Sequence, residues 1–145
     1  MSRLIKDKDY KITENYGKNH VGVDIVGTTG GVSYIKAHSD GIVYNVVDGK
    51  NNDRNSSGVN SYGNYIQLKH SDGYYTLYAH LHSRTVQVGQ TVEKGQQIGT
   101  MGHTGFATGT HVHFGLYKNG LPYRDGIPLD PLILYRWWKF QYYQV

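Results

Sequence analysis

Hydrophobic and polar residues alternate in short runs along this 145-residue chain. In the segment 20–26, His, Gly and Asp occupy one set of alternate positions, and Val, Val and Ile occupy the other. The segments 64–69 and 74–81 alternate in the same way, and 111–117 has the order His-Val-His-Phe-Gly-Leu-Tyr. A period of two is typical of strands, and apart from a short turn near 132–138 no stretch sustains the 3.6-residue period of a helix. The pattern predicts an all-β fold.

Turn-forming residues divide these runs into short strands. Asp40-Gly41 is a strong hairpin signal, so we expect 33–37 and 41–47 to pair through a turn that leaves His38 in solvent. Ser71-Asp72-Gly73 predicts a second hairpin, and 27–31 and the polar segment 48–61 predict a turn and a mobile surface loop. Glycines between short apolar pairs in 86–99 are typical of a small barrel. We therefore expect a compact antiparallel β-barrel or sandwich.

Composition narrows the class of protein. The length suits one domain, 1–145, and a hydrophobic content of 38% with a mean hydropathy of −0.56 is typical of a globular protein. No apolar run approaches the roughly 20 residues of a membrane-spanning helix, and the first ten residues carry no secretory signal pattern. The net charge of +4 comes from scattered basic residues, so we expect no nucleic-acid partner. With no cysteine present, any metal must be held by His, Asp or Glu.

His111 and His113 flank one β-branched residue, so in a strand both imidazoles project from one face. Neutral imidazole is both a zinc ligand and a proton carrier near neutral pH. The pair is therefore a candidate for metal binding or acid–base chemistry, and the alternative is two exposed histidines on a sheet.

His20 and Asp24 form a second candidate pair. In a straight strand their Cα atoms would lie about 13 Å apart, near the limit for two side chains that share one ion. A bend at Gly22, or a position for His20 on the loop before the strand, would bring them together; the alternative is a surface histidine and a turn-forming aspartate. A set of two His and one Asp with an open water position is the usual catalytic zinc arrangement, and His80 adds a further imidazole.

Three segments carry a resemblance to a known family: His20-Val21-Gly22-Val23-Asp24, Leu77-Tyr78-Ala79-His80-Leu81 and Thr108-Gly109-Thr110-His111-Val112-His113-Phe114. In order and spacing they resemble the lysostaphin/LytM-type zinc endopeptidases, and the likeness covers about 12–131. The resemblance implies that His20, Asp24 and His113 bind one Zn²⁺ and that His80 and His111 are catalytic. It also implies a compact antiparallel β fold with a loop-walled substrate groove.

Other residues have weaker assignments. Tyr16, His82 and His103 are candidates for the substrate groove, whereas we expect His70 to be structural. The aromatic tail, 132–145, has no counterpart in the family, and we expect it to pack over the barrel rather than to bind the cell wall.

The resemblance implies a monomeric zinc endopeptidase, the catalytic domain of a phage or bacterial lysin, that cuts stem or cross-bridge peptides of peptidoglycan. Because the chain shows no signal peptide, we expect a phage-encoded or virion-associated protein or an excised domain that acts at the bacterial wall. Two alternatives remain: a non-catalytic wall-binding or regulatory module on the same fold, and a lipoyl-like carrier domain, which needs no His/Asp set.

Overall fold

The computed structural model describes residues 10–27 and 32–132. Eleven strands lie in these ranges: β1 Tyr10–Glu14, β2 Val23–Gly27, β3 Tyr34–Lys36, β4 Gly41–Val47, β5 Tyr65–Lys69, β6 Tyr74–Ala79, β7 Leu81–Arg84, β8 Thr91–Val92, β9 Gln97–Met101, β10 Val112–Lys118 and β11 Ile127–Leu129. Two short 3-10 helices, Gly58–Tyr62 and Ser71–Gly73, precede β5 and β6. The predicted all-β fold is confirmed.

The strands form two antiparallel sheets. The larger has the order β1-β2-β10-β6-β5-β4-β8, with β11 paired to β10, and the smaller has the order β3-β9-β7. The main hydrophobic core takes residues from both sheets, such as Ile66 and Phe114 of the larger and Ile35 and Ile98 of the smaller. The sheets therefore pack on each other as a sandwich.

Strand β10 is central to the larger sheet and is buried on both faces. Val112 and Phe114 point into the main core. His113 and Tyr117, at odd positions, lie on the opposite face, where Tyr117 joins a second, tyrosine-rich cluster. Because β10 pairs with β2 on one side and β6 on the other, it carries His113 to the middle of this second face.

Segment 20–26 is shorter as a strand than its alternation predicts. The strand begins at Val23, and His20 lies before it in a tight turn, where its backbone N–H and carbonyl both pair with Gly17. Gly22 has a φ of 132°, a conformation that glycine tolerates and L side chains do not. Both devices expected to bring His20 towards Asp24 are therefore present.

The predicted hairpin between 33–37 and 41–47 is wrong. β3 pairs with β9, whereas β4 pairs with β5 and β8, so the chain crosses from one sheet to the other at Asp40-Gly41. The turn signal was correct, but a turn signal does not say whether the two strands pair.

The expectation that His38 lies in solvent is also wrong, since His38 is buried. Its ring packs 5.6 Å from that of Phe114, and its Nδ1 shares a hydrogen bond of 2.6 Å with the Ser39 hydroxyl. An imidazole with a polar partner inside the fold costs little to bury.

The second hairpin is confirmed, because β5 and β6 pair directly across Ser71–Gly73. The segment 48–61 includes most of the first 3-10 helix and is mostly exposed. Residues 28–31 and 133–145, which include most of the predicted turn and aromatic tail, lie outside the described residues. No helix in the described ranges is long and apolar enough to cross a membrane.

Candidate functional site

Asp24 is the centre of a cluster of histidines. The pairing of β2 with β10 places Asp24 directly opposite His113, and Asp24 Oδ1 lies 3.0 Å from His113 Nδ1. The same oxygen lies 3.1 Å from His20 Nε2, and Asp24 Oδ2 lies 3.7 Å from His111 Nε2. Burial alone would raise the pKa of Asp24, but the hydrogen bond from His113 and the neighbouring histidine charges lower it overall. The group is therefore a carboxylate at neutral pH.

The tautomer of His20 is fixed by its surroundings. His20 Nδ1–H donates to the backbone carbonyl of Asn15 at 3.1 Å, so a neutral His20 presents the lone pair of Nε2 towards Asp24. A lone pair and a carboxylate oxygen 3.1 Å apart repel each other unless a cation lies between them. A metal ion bound between the two atoms would remove this repulsion.

The donor atoms also fit zinc. One ligand atom from each of His20, Asp24 and His113 lies within 4.8 Å of the other two. Ligands of a tetrahedral zinc, at about 2.0–2.2 Å from the ion, are separated by about 3.3 Å, close to the separations found at Asp24. Two imidazole nitrogens and one carboxylate oxygen, with a fourth side open to solvent, form a standard catalytic donor set.

His80 and His111 lie beside this set, with ring centroids 4.6 Å apart. Each donates its Nδ1–H to a backbone carbonyl, His80 to Thr104 at 2.7 Å and His111 to Gly109 at 2.9 Å. In the neutral rings Nε2 is therefore a hydrogen-bond acceptor. Burial lowers the pKa of His80 to about 4, so His80 is neutral at physiological pH.

The position of His80 differs from the simple strand prediction. β6 ends at Ala79, and His80 has a φ of 64°, so it does not continue the alternation of Tyr74, Thr76 and Tyr78. This turn places the His80 ring 6.1 Å from that of His113. The five histidine and aspartate residues proposed from the sequence are thus brought together by the structure.

These side chains lie in an open cleft of about 460 Å³. Its walls come from the loop before β2, the first 3-10 helix and the loops on both sides of β10, in agreement with the expected loop-walled groove. The lining residues outside the cluster are Glu14, Asn19, Val21, Ser61, Tyr62, Phe106, Ala107, Thr108 and Tyr123.

The weaker groove candidates are not among the lining residues. Tyr16, His82 and His103 lie outside the cleft wall, and their assignment to the groove stays a prediction. Sequence reasoning did not identify Tyr62, Phe106 or Tyr123, which line the cleft. None of the three belongs to the His/Asp pattern on which the sequence-based site rests.

Known proteins resemble this chain in both sequence and fold. Residues 18–125 match the model of peptidase family M23. Over 105 residues the chain is 39% identical to the peptidoglycan DD-endopeptidase ShyC of Vibrio cholerae, covering 72% of this chain and 21% of the relative. It is 36% identical over 116 residues to the murein hydrolase activator NlpD of Salmonella dublin, covering 77% and 27%.

Among solved structures, the antimicrobial peptidase lysostaphin from Staphylococcus simulans superposes with a TM-score of 0.72 at 30% identity. The match covers 88% of this chain and 50% of lysostaphin. The chain thus spans about a fifth to a quarter of the length of these two curated relatives.

Proposed function

The chain belongs to peptidase family M23, and on that premise we propose that it is a zinc-dependent endopeptidase that cuts peptide bonds of bacterial peptidoglycan. The observation that carries the proposal is the convergence of His20 Nε2, Asp24 Oδ1 and His113 Nδ1 in a cleft that His80 and His111 also enter. The names of ShyC, a peptidoglycan endopeptidase, and lysostaphin, an antimicrobial peptidase, support the substrate class. Stem or cross-bridge peptides are the proposed substrate, the bacterial wall is the site of action, and a lysin is the proposed parent protein.

We assign His20, Asp24 and His113 as the ligands of one Zn²⁺ per chain. When bound there, zinc polarises a peptide carbonyl and lowers the pKa of a coordinated water towards 7. The carbonyl of Asn15 keeps His20 in the tautomer that leaves Nε2 free to bind.

His111 is the proposed general base. Its Nε2 accepts a proton, because Nδ1–H is committed to the carbonyl of Gly109, and it lies at the edge of the metal site, 3.7 Å from Asp24 Oδ2. After the attack on the carbonyl, the same nitrogen can deliver the proton to the leaving amine.

His80 is proposed to orient the attacking water. With Nδ1–H bonded to Thr104 and a neutral ring, Nε2 accepts hydrogen bonds but has none to donate. Of the two roles that the sequence left open, this tautomer favours positioning of the water over stabilisation of an oxyanion.

A second candidate function is the activation of another wall hydrolase, because NlpD is named as a murein hydrolase activator. The retained His/Asp set favours the enzyme. The two functions differ in what the isolated chain does to purified peptidoglycan.

The test measures zinc content and new amino groups released from purified peptidoglycan. We expect about one zinc per chain, release of amino groups, loss of release with a chelator, and recovery with added zinc. A zinc-loaded chain that releases no amino groups, but increases release by an added wall hydrolase, would favour the activator. Mass spectrometry of walls with glycine bridges and of walls with direct D-amino-acid cross-links identifies the bond.

A further inference from the structure

His113 is held differently from the other three histidines of the cleft. His20, His80 and His111 each donate one ring N–H to a backbone carbonyl, which fixes both tautomer and ring orientation. His113 Nε2 is buried, and among the described residues it is the one buried side-chain nitrogen or oxygen without a hydrogen-bond partner. Hydrogen bonding at the far side of the ring therefore does not orient this proposed ligand.

Beyond its contact with Asp24 at Nδ1 and the His20 ring at a centroid distance of 5.0 Å, two surfaces hold the His113 ring. On one side lies the Tyr62 ring, stacked at a centroid distance of 5.7 Å and an interplanar angle of 28°. Elsewhere the ring abuts Gly22, where an added Cβ would lie 2.8 Å from both Nε2 and Cε1. Tyr62 and His113 are each only 8% exposed, so little of either side chain meets the solvent of the cleft.

Tyr62 is itself firmly placed. It ends the first 3-10 helix, and its hydroxyl lies 3.4 Å from that of Tyr117. The next residue, Gly63, has a φ of 64° and packs so closely on the backbone of Thr104 that a Cβ would clash with it. The Tyr62 carbonyl also accepts the backbone N–H of His80 at 2.8 Å.

We propose that Tyr62 is the positioning residue that joins the metal centre to the catalytic histidine. Its ring sets the plane of the His113 imidazole so that Nδ1 faces Asp24, and its carbonyl fixes the backbone of His80. The proposal rests on the proposed function for the metal at this site. In this proposal the face of the Tyr62 ring orients His113, whereas backbone carbonyls orient the other three histidines.

The test is metal affinity, measured by chelator competition with Zn²⁺ and by the absorption spectrum of the Co²⁺-loaded chain. Tyr62→Phe keeps the stacked ring, so it should bind within about twofold of the wild type with an unchanged spectrum. Tyr62→Leu and Tyr62→Met remove the flat face, so affinity should fall about tenfold or more, as for lost ligand-orienting partners, and the spectrum should change. Tyr65→Leu is the matched control: it removes a buried tyrosine of the same cluster, 5.9 Å from Tyr62, that does not line the cleft.

Several outcomes overturn the proposal. They are wild-type affinity in folded Tyr62→Leu or Tyr62→Met, an equal loss of affinity in Tyr62→Phe, an equal loss in Tyr65→Leu, or a wild-type chain that binds no metal.

If the leucine and methionine variants fail to fold, NMR of the wild-type chain still tests the stack. The ring C–H protons of His113 should resonate upfield of those of other histidines because they lie over an aromatic face, and an ordinary shift contradicts the stack. A chain that shows the expected affinities but cleaves no peptidoglycan would refute the proposed function and leave this inference standing.

Discussion

Asp24 and His113 face each other across β2 and β10, with Asp24 Oδ1 3.0 Å from His113 Nδ1 and 3.1 Å from His20 Nε2. One carboxylate oxygen therefore touches both nitrogens of the proposed zinc set. Asp24→Ala removes one of the proposed direct ligands, so zinc affinity should fall by more than the 10–100-fold typical of a lost outer partner. Isothermal titration with Zn²⁺ measures the change, and an affinity near that of the wild type would exclude Asp24 from the metal site.

His111→Ala separates chemistry from metal binding. His111 is not one of the three proposed ligands, so the variant should keep one zinc per chain while amino-group release falls about 10²–10⁴-fold, the range for a lost general base. Asp24→Ala, which should lose both, is the matched comparison. Full release by a zinc-loaded His111→Ala chain would show that another group accepts the proton.

Local pattern predicted the fold class, and shared motifs singled out the five residues that the structure brings together in the cleft. Alternation predicted the strands, and the match of 18–125 to the family model confirms the resemblance to lysostaphin/LytM-type peptidases. The proposed roles of His20, Asp24, His80, His111 and His113 stay predictions that the geometry supports.

What the sequence could not predict depends on pairing between distant strands. Asp40-Gly41 indicated a turn, but the pairing of β3 with β9 decided that it joins two sheets. His38 is buried because Phe114 and Ser39 surround it. The Tyr62 ring stacks on His113 because the pairing of β10 with β2 and β6 brings His113 beneath it. Neither contact has a signal in the local pattern.

Gly22→Ala should distort the site without removing any ligand. An added Cβ would lie 2.7 Å from the Phe114 carbonyl oxygen and 2.8 Å from His113 Nε2, at a φ of +132° that L residues rarely adopt. We expect a loss of about 1–3 kcal/mol in the free energy of unfolding, together with weaker zinc binding. Gly17→Ala is the control from the same segment, because a Cβ there meets nothing within 4 Å. Equal stability and affinity in the two variants would contradict the close fit at Gly22.

Asn52 anchors the loop that holds His80. Its side-chain amide lies 2.8, 3.2 and 2.9 Å from the carbonyl oxygens of His103, Gly105 and Ala107, a segment that includes the Thr104 carbonyl bonded to His80. Asn52→Ala should cost about 1–3 kcal/mol of stability and lower the rate of hydrolysis, while zinc stays bound.

The control for Asn52→Ala is its neighbour. Asn51 contributes its backbone carbonyl to the same loop contact, accepting from Gly105 N–H at 2.9 Å, so Asn51→Ala keeps that bond. Urea unfolding and rates of amino-group release compare the two variants. A comparable loss of stability and rate in both would show that the Asn52 amide does not anchor the loop.

The stability of the fold should decline in mild acid because of His38, which lies away from the cleft. Burial, with smaller contributions from the charges of His70 and Lys94, lowers its pKa from 6.5 to about 2. Between these two pKa values His38 is protonated in the unfolded chain but not in the folded chain. The free energy of unfolding therefore falls as the pH drops below 6.5. The slope from this one group is about 1.4 kcal/mol per pH unit. Urea unfolding of the metal-free chain between pH 7.5 and pH 5 measures it, and His38→Gln should reduce the slope by that amount. Above pH 7 His38 is neutral in both the folded and the unfolded chain, so a difference in stability between the wild type and His38→Gln there reports packing alone. A slope in the variant equal to that of the wild type would mean that His38 takes up its proton in the folded state.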